Sequence, residues 1–189
     1  MRTELVLTLI VLSSCSFGGW KQESLYSNSA VINNAYNLAT EKFLKNNGIS
    51  SVDDLELLSI YSQLVAGMNY KFTYINRNNP LNGIQQTTVY IPLPTSNAQP
   101  TVTEDKTLPI SNGVISLNDP KYGKVNELVK NAYKNSSSQK IIKTKKITFV
   151  NTDLATYFIL VAENPNKEEG YYAVVLHRGS GEYQLINKL

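Results

Sequence analysis

The apolar residues of this chain change their spacing, and then repeat the change. From Ser29 to about Lys45, the residues Ile32, Ala35, Tyr36, Ala39 and Phe43 recur every three or four positions. That is the single stripe of an amphipathic helix, and Gly48 stops it. An extended stretch begins at about Leu55, where Tyr70, Phe72 and Tyr74 alternate with Lys71 and Thr73, as in a half-buried strand. Asn76 to Gly83 is rich in Asn and holds Pro80, so it reads as a turn. Thr87 to Leu93 is a further strand; Pro92 and Pro94 cannot donate to a ladder, so it ends there or lies at an edge. A weaker strand lies within Asn97 to Thr107.

The same order returns from about Ile110. Asn118-Asp119-Pro120 is a helix start, a capping side chain followed by a proline whose missing N–H costs nothing there. Val125, Leu128, Val129, Ala132 and Tyr133 follow at helical spacing, and Asn135 to Ser138 ends the helix. Ile141–Val150, Thr156–Val161, Tyr171–Leu176 and Tyr183–Leu189 read as four strands, with tips at Asn164-Pro165-Asn166 and Arg178-Gly179-Ser180-Gly181. The pattern predicts an α+β chain built as a diverged repeat, each half burying one helix on one face of an antiparallel sheet.

Residues 1–16 are expected to lie outside this fold. Arg2 precedes the apolar run Leu5–Leu12, which is too short to span a bilayer and ends in Ser13-Ser14-Cys15-Ser16. Small residues at Ser14 and Ser16 suit a signal peptide cleaved after Ser16. A second reading stays open: Leu12-Ser13-Ser14-Cys15 resembles a bacterial lipoprotein box, which would lipidate Cys15. Cys15 is the sole cysteine, so cleavage after Ser16 leaves a chain with no possible disulfide, held by its core alone. The expected location is secreted, or the lumen of a lysosome or vacuole, with no membrane attachment once the leader is gone. Asn135-Ser136-Ser137 is a glycosylation sequon usable on a eukaryotic secretory route. A net charge of +3 gives no argument for a nucleic-acid partner. The lysine run Lys140–Lys146 reads as an edge or solvated strand face, since lysines protect strand edges.

The inventory for catalysis is thin. With one histidine, His177, and the cysteine in the leader, no Cys-His dyad survives cleavage. Ser180 lies near His177, but Arg178-Gly179-Ser180-Gly181-Glu182 lacks a nucleophile elbow. His177 reads as a strand-end residue with no role. Asp53-Asp54 and Glu168-Glu169 read as solvated pairs, and no cluster has metal-ligand spacing. No catalytic residue, metal or cofactor is expected.

The informative segment is instead Gln63-Leu64-Val65-Ala66-Gly67, followed by Met68-Asn69-Tyr70. It is apolar where a hairpin bend should be polar. Such a tip gains nothing in solvent and does gain inside another protein's cleft. This pentapeptide resembles the first-hairpin signature of the cystatin superfamily, inhibitors of papain-like cysteine peptidases. Gly18-Gly19 resembles that family's N-terminal glycine, and Leu93-Pro94 resembles the Leu-Pro of the second hairpin in stefins.

The resemblance implies a long helix gripped by an antiparallel sheet, over residues 17–109 as an inhibitory domain. It also implies a wedge of three segments that enters the peptidase cleft and blocks substrate reversibly, without being cut. Leu64, Val65 and Ala66 would supply apolar area, Gly67 a tight bend, and Gln63 a hydrogen bond across it. Gly18 and Gly19 would free the trunk, and Phe17 would occupy a substrate side-chain pocket. Leu93 and Pro94 would form the second tip. Trp20 is expected in the core or over the helix start, and Gly67 at an exposed tip able to take a bulky side chain without unfolding the protein.

The chain departs from the family in lacking the disulfides of secreted members and their Pro-Trp. Residues 110–189 keep the element order but not the motif: about Val150 to Leu154 stands in the place of the pentapeptide, with Asp153 costly in an apolar cleft if unpaired, and the second tip reads His177-Arg178-Gly179. That half is expected to be a degenerate cystatin-like domain, inactive or with another target. The expected partner is a cathepsin-like peptidase, the expected state monomeric. The rival reading is a cystatin-fold binding protein with a different partner and a vestigial wedge.

Overall fold

The computed structural model describes residues 19–47, 49, 51–110, 122–134, 143–163 and 166–188. Residues 1–16, expected to form a leader, lie outside them, as do Phe17, Gly18, the expected helix start at Asn118-Asp119-Pro120, the sequon at Asn135 and the expected tip at Asn164-Pro165. Among the described residues the fold is α+β, with two antiparallel sheets, one long helix and one shorter one.

Strand β1 (Trp20–Glu23) comes first, then helix α1 (Ala30–Asn47) and a short 3-10 turn (Val52–Asp54). Four strands follow: β2 (Leu55–Val65), β3 (Gly67–Asn76), β4 (Ile84–Pro92) and β5 (Thr101–Leu108). Helix α2 (Gly123–Lys134) leads to β6 (Lys143–Asn151), β7 (Ala155–Glu163), β8 (Glu169–His177) and β9 (Tyr183–Lys188). Each sheet is a meander in chain order, β1-β2-β3-β4-β5 and β6-β7-β8-β9. Strand β1 lacks an apolar alternation, and the sequence reading passes over it; its backbone pairing with β2 makes it a strand.

Helix α1 starts where its stripe starts. The Ser29 carbonyl accepts from Asn33 N at 3.0 Å and its hydroxyl lies 3.5 Å from Ile32 N, the position of a capping serine. The stripe Ile32, Ala35, Ala39 and Phe43 packs with Ile60, Tyr70, Phe72, Tyr74 and Val89 of the first sheet. In the second half Val125 and Val129 of α2 pack on Ile147, Phe158, Leu160, Tyr172 and Val174.

The opposite faces of the two sheets pack on one another. Leu58, Ile75 and Ile84 of the first share a buried cluster with Val150, Tyr157, Ile159, Ala173, Val175 and Ile186 of the second. The order of layers is therefore α1, first sheet, second sheet, α2. Strand β7 shows why: Tyr157 and Ile159 face the first sheet, while Phe158 and Leu160 face α2. A strand covered on both sides reads as a continuous apolar run.

Strand β3 corrects an expectation. The alternation of Tyr70, Phe72 and Tyr74 with Lys71 and Thr73 predicts one wet face, yet Lys71 and Thr73 are buried as well. The second sheet covers Thr73, while Trp20 and Glu104 flank Lys71, and hydroxyls rather than alkyl groups fill part of the seam between the sheets. Ser59 Oγ lies 2.7 Å from the Tyr157 hydroxyl, which also donates to Thr73 Oγ1 at 3.1 Å. Gln86 Nε2 donates to Thr73 Oγ1 at 3.3 Å. Buried hydroxyls are tolerable because each has a partner.

Strand β6 is an edge of the second sheet among the described residues, where the lysine run is expected at an edge or on a solvated face. Lys145 pairs there with Glu163 and, at 2.9 Å, with Glu169.

Candidate functional site

One end of the first sheet collects the three segments singled out in the sequence. Register partners place them: Trp20 lies opposite Gln63, Val65 opposite Gly67, and Gly67 opposite Pro92. Gly19, the bend at Ala66 and the Leu93-Pro94 turn thus end neighbouring strands. With strands about 4.8 Å apart, the four strand ends make a rim roughly 14 Å wide. Gly18 falls outside the described residues.

The first tip is very tight, with only Ala66 between β2 and β3. Leu64 is 43% exposed although it sits in a strand, and Ala66 is exposed. The bond across the bend expected of Gln63 is present: Asn69 Nδ2 donates to Gln63 Oε1 at 3.3 Å. At the second tip Ser96 N donates to the Leu93 carbonyl at 2.9 Å, closing a four-residue turn. Pro94 takes its second position, where a fixed φ is pre-set for the turn. Leu93 is 49% exposed. The rim therefore offers two large apolar side chains to solvent on a hydrogen-bonded support.

Gly67 differs from its expectation. It is buried, with φ +135°, a region that side chains rarely adopt. A Cβ there would lie 2.5 Å from the Ile91 carbonyl oxygen and 2.8 Å from the Tyr90 ring. The glycine is needed by the neighbouring strand, and a bulky replacement would disturb the sheet. Trp20 also differs. It is neither core nor over the helix start, but half-buried on the edge strand, with Lys71 Nζ 4.7 Å from its ring centroid. Lys71 itself is buried and lies 3.8 Å from Glu104. Hydrogen bonding to Lys106, with help from the Lys71 charge, holds the Glu104 carboxyl below the usual carboxylate range.

His177 ends β8, as expected, but it is not without a role. It is buried, and both ring nitrogens are engaged: Nδ1 lies 2.7 Å from the Tyr61 hydroxyl and Nε2 3.0 Å from Gln184 Oε1. Tyr61 also donates to the Leu154 carbonyl at 3.1 Å. Burial, with a smaller contribution from Tyr157, pushes the Tyr61 hydroxyl pKa well up. The nearby Ser180 hydroxyl accepts from Glu182 N at 3.2 Å. His177 thus ties the second sheet to the first.

The tip that replaces the pentapeptide in the second half is closed on itself. Thr152 and Ala155 exchange backbone and side-chain hydrogen bonds of 2.9 to 3.0 Å, and Asp153 is exposed. Its Leu154 sits against Tyr61, four residues back from Val65 along β2, about 13 Å behind the rim. A cleft of about 580 Å³ is lined by Trp20 and Tyr61 of the first sheet and by Asp153, Arg178 and Ser180 of the second half.

Sequence reasoning passed over Tyr90. It lies opposite Asn69, on the same sheet face as Trp20 and Gln63, and its hydroxyl donates to the Ala66 carbonyl. An aromatic two residues before Pro92 is its only trace in the sequence.

Fold and rim together define an α+β protein with a narrow, apolar, three-part edge. Comparison with known protein families and with curated proteins returns no match. Among the described residues no helix is long and apolar enough to cross a membrane.

Proposed function

We propose that this protein is a reversible, tight-binding inhibitor of papain-like cysteine endopeptidases, and that each half is a cystatin-like domain. Residues 17–109 carry the inhibitory edge; residues 110–189 repeat the scaffold without the motif. The observation that carries this reading is the meeting of Gly19, Gln63–Gly67 and Leu93-Pro94 at one end of the first sheet, with Leu64 and Leu93 half exposed. Three segments separated in sequence share one edge, and the edge is apolar. Docked in a cleft beside a catalytic Cys-His pair, Leu64, Val65, Ala66 and Leu93 lose water at roughly 25 cal/mol per Å², before association costs. The rim residues include no nucleophile or general base, so the mechanism is occlusion. On this reading the protein is secreted or luminal after loss of residues 1–16, and acts as a monomer.

The test is residual papain activity titrated with the intact protein. The expected result is stoichiometric, reversible loss of activity. Leu64→Glu should weaken inhibition by at least tenfold, since an unpaired charge enters an apolar cleft, while its half-exposed position leaves folding intact. No loss of activity at micromolar protein overturns the proposal and favours a different partner for the same edge.

A further inference from the structure

Tyr90 and Gly67 form one device. The Ala66 carbonyl, at the apex of the first tip, accepts from the Tyr90 hydroxyl. The tyrosine reaches it because Gly67 has no side chain: a Cβ there would lie 2.8 Å from Tyr90 Cε2 and 2.9 Å from its hydroxyl oxygen. The ring therefore fills the space that the glycine leaves and spends its hydroxyl on the bend. Tyr90 sits on β4, two residues before Pro92 and three before Leu93, so it links the first tip to the strand that carries the second.

We propose that Tyr90 is a positioning residue, which sets the shape of the Leu64–Ala66 tip relative to Leu93 and so the fit of the edge to a peptidase cleft. This rests on the inhibitor reading. The hydroxyl is directed at the bend, so Tyr90 acts through the tip. A tip that samples several shapes binds only from the competent fraction, and the apparent affinity falls with that fraction.

The test is Tyr90→Phe in the full chain, which keeps the ring beneath Gly67 and removes only the tie. Papain inhibition, amide hydrogen exchange at Gly67 and Met68, and the urea midpoint are measured together. The expected result is inhibition weaker by roughly five- to tenfold, the scale of one hydrogen bond. Exchange at Gly67 and Met68 should be faster and the urea midpoint close to that of the parent. Equal inhibition by the two proteins overturns the proposal. So does weaker inhibition with unchanged local exchange, or with a midpoint that falls in proportion, since either marks a role outside the tip. If the parent protein leaves papain fully active, the inhibitor reading fails at that first measurement and the positioning role falls with it. Inhibition by the parent that Tyr90→Phe leaves intact removes the positioning role alone.

Discussion

The Tyr157 hydroxyl joins the two sheets, and Tyr157→Phe tests whether they unfold as one. The tyrosine is fully buried on the second sheet, and its partners Ser59 and Thr73 are buried on the first. The substitution keeps the ring, so it opens no cavity beyond one oxygen. It deprives Ser59 Oγ of its 2.7 Å partner, while Thr73 Oγ1 keeps the bond from Gln86. A buried hydroxyl left unpaired costs about 1–3 kcal/mol. Ser59→Ala alone should cost about 1 kcal/mol, because Tyr157 keeps its bond to Thr73. The double variant removes both ends of the contact, so its cost should fall short of the sum by about 0.5–2 kcal/mol. The assay is urea unfolding followed by far-UV circular dichroism and by fluorescence of Trp20, the sole tryptophan. Trp20 lies on the first sheet and the substitution on the second. A shared seam moves both signals to the same lower midpoint. A dichroism midpoint that falls while the Trp20 transition stays in place would show that the halves unfold independently. No shift in either signal would show that the hydroxyl is not a buried, paired group.

Three further outcomes follow from the same geometry. Gly67→Ala should cost about 1–3 kcal/mol in urea unfolding, from backbone strain at φ +135° and contact with the Ile91 carbonyl, and should also weaken papain inhibition; parent-like stability would refute the strained bend. Leu93→Ala should weaken inhibition at least fivefold, with a stability change under about 1 kcal/mol at this half-exposed site; a large stability loss would place Leu93 in the core instead. Burial raises the pKa of Tyr61, Tyr74 and Tyr157. Their stabilising contribution is complete below about pH 10, the ordinary tyrosine value, and is lost as pH rises through the higher folded values. The tyrosinate absorbance of Tyr61, Tyr74 and Tyr157 should therefore rise steeply and together with the loss of circular dichroism. A single gradual rise with the fold intact would refute it.

The helices and most strands are legible because their apolar periods are local. The Ile32–Phe43 stripe, the Val125–Val129 pair and the Tyr70–Tyr74 alternation each declare an element within a few turns of chain. The second face of the first sheet is not legible in that way. Its residues include Ser59, Tyr61, Thr73 and Gln86, whose hydroxyls and amides read as solvent-facing. They are buried because a partner stands opposite, and the partners lie far along the chain: Tyr157 is 98 residues from Ser59, and His177 is 116 from Tyr61. Polarity alone cannot tell a wet face from a face bonded to another sheet.

The candidate edge divides along the same line. Leu64, Val65 and Ala66 stand out because an apolar tip violates the polarity of turns, a local anomaly; Leu93 and Pro94 stand out only through the family resemblance. What supports the tip has no such anomaly. Tyr90 looks like any aromatic in a strand, and Gly67 like any glycine in a bend. Their connection depends on β3 and β4 pairing with Gly67 opposite Pro92, which directs the Tyr90 hydroxyl to the Ala66 carbonyl. A shift of one residue in that register would turn the Tyr90 side chain to the helix face. It would leave the Ala66 carbonyl without its donor while preserving every residue of the motif. The motif marks where contact surface is offered; the pairing of β3 with β4 decides whether that surface has a fixed shape.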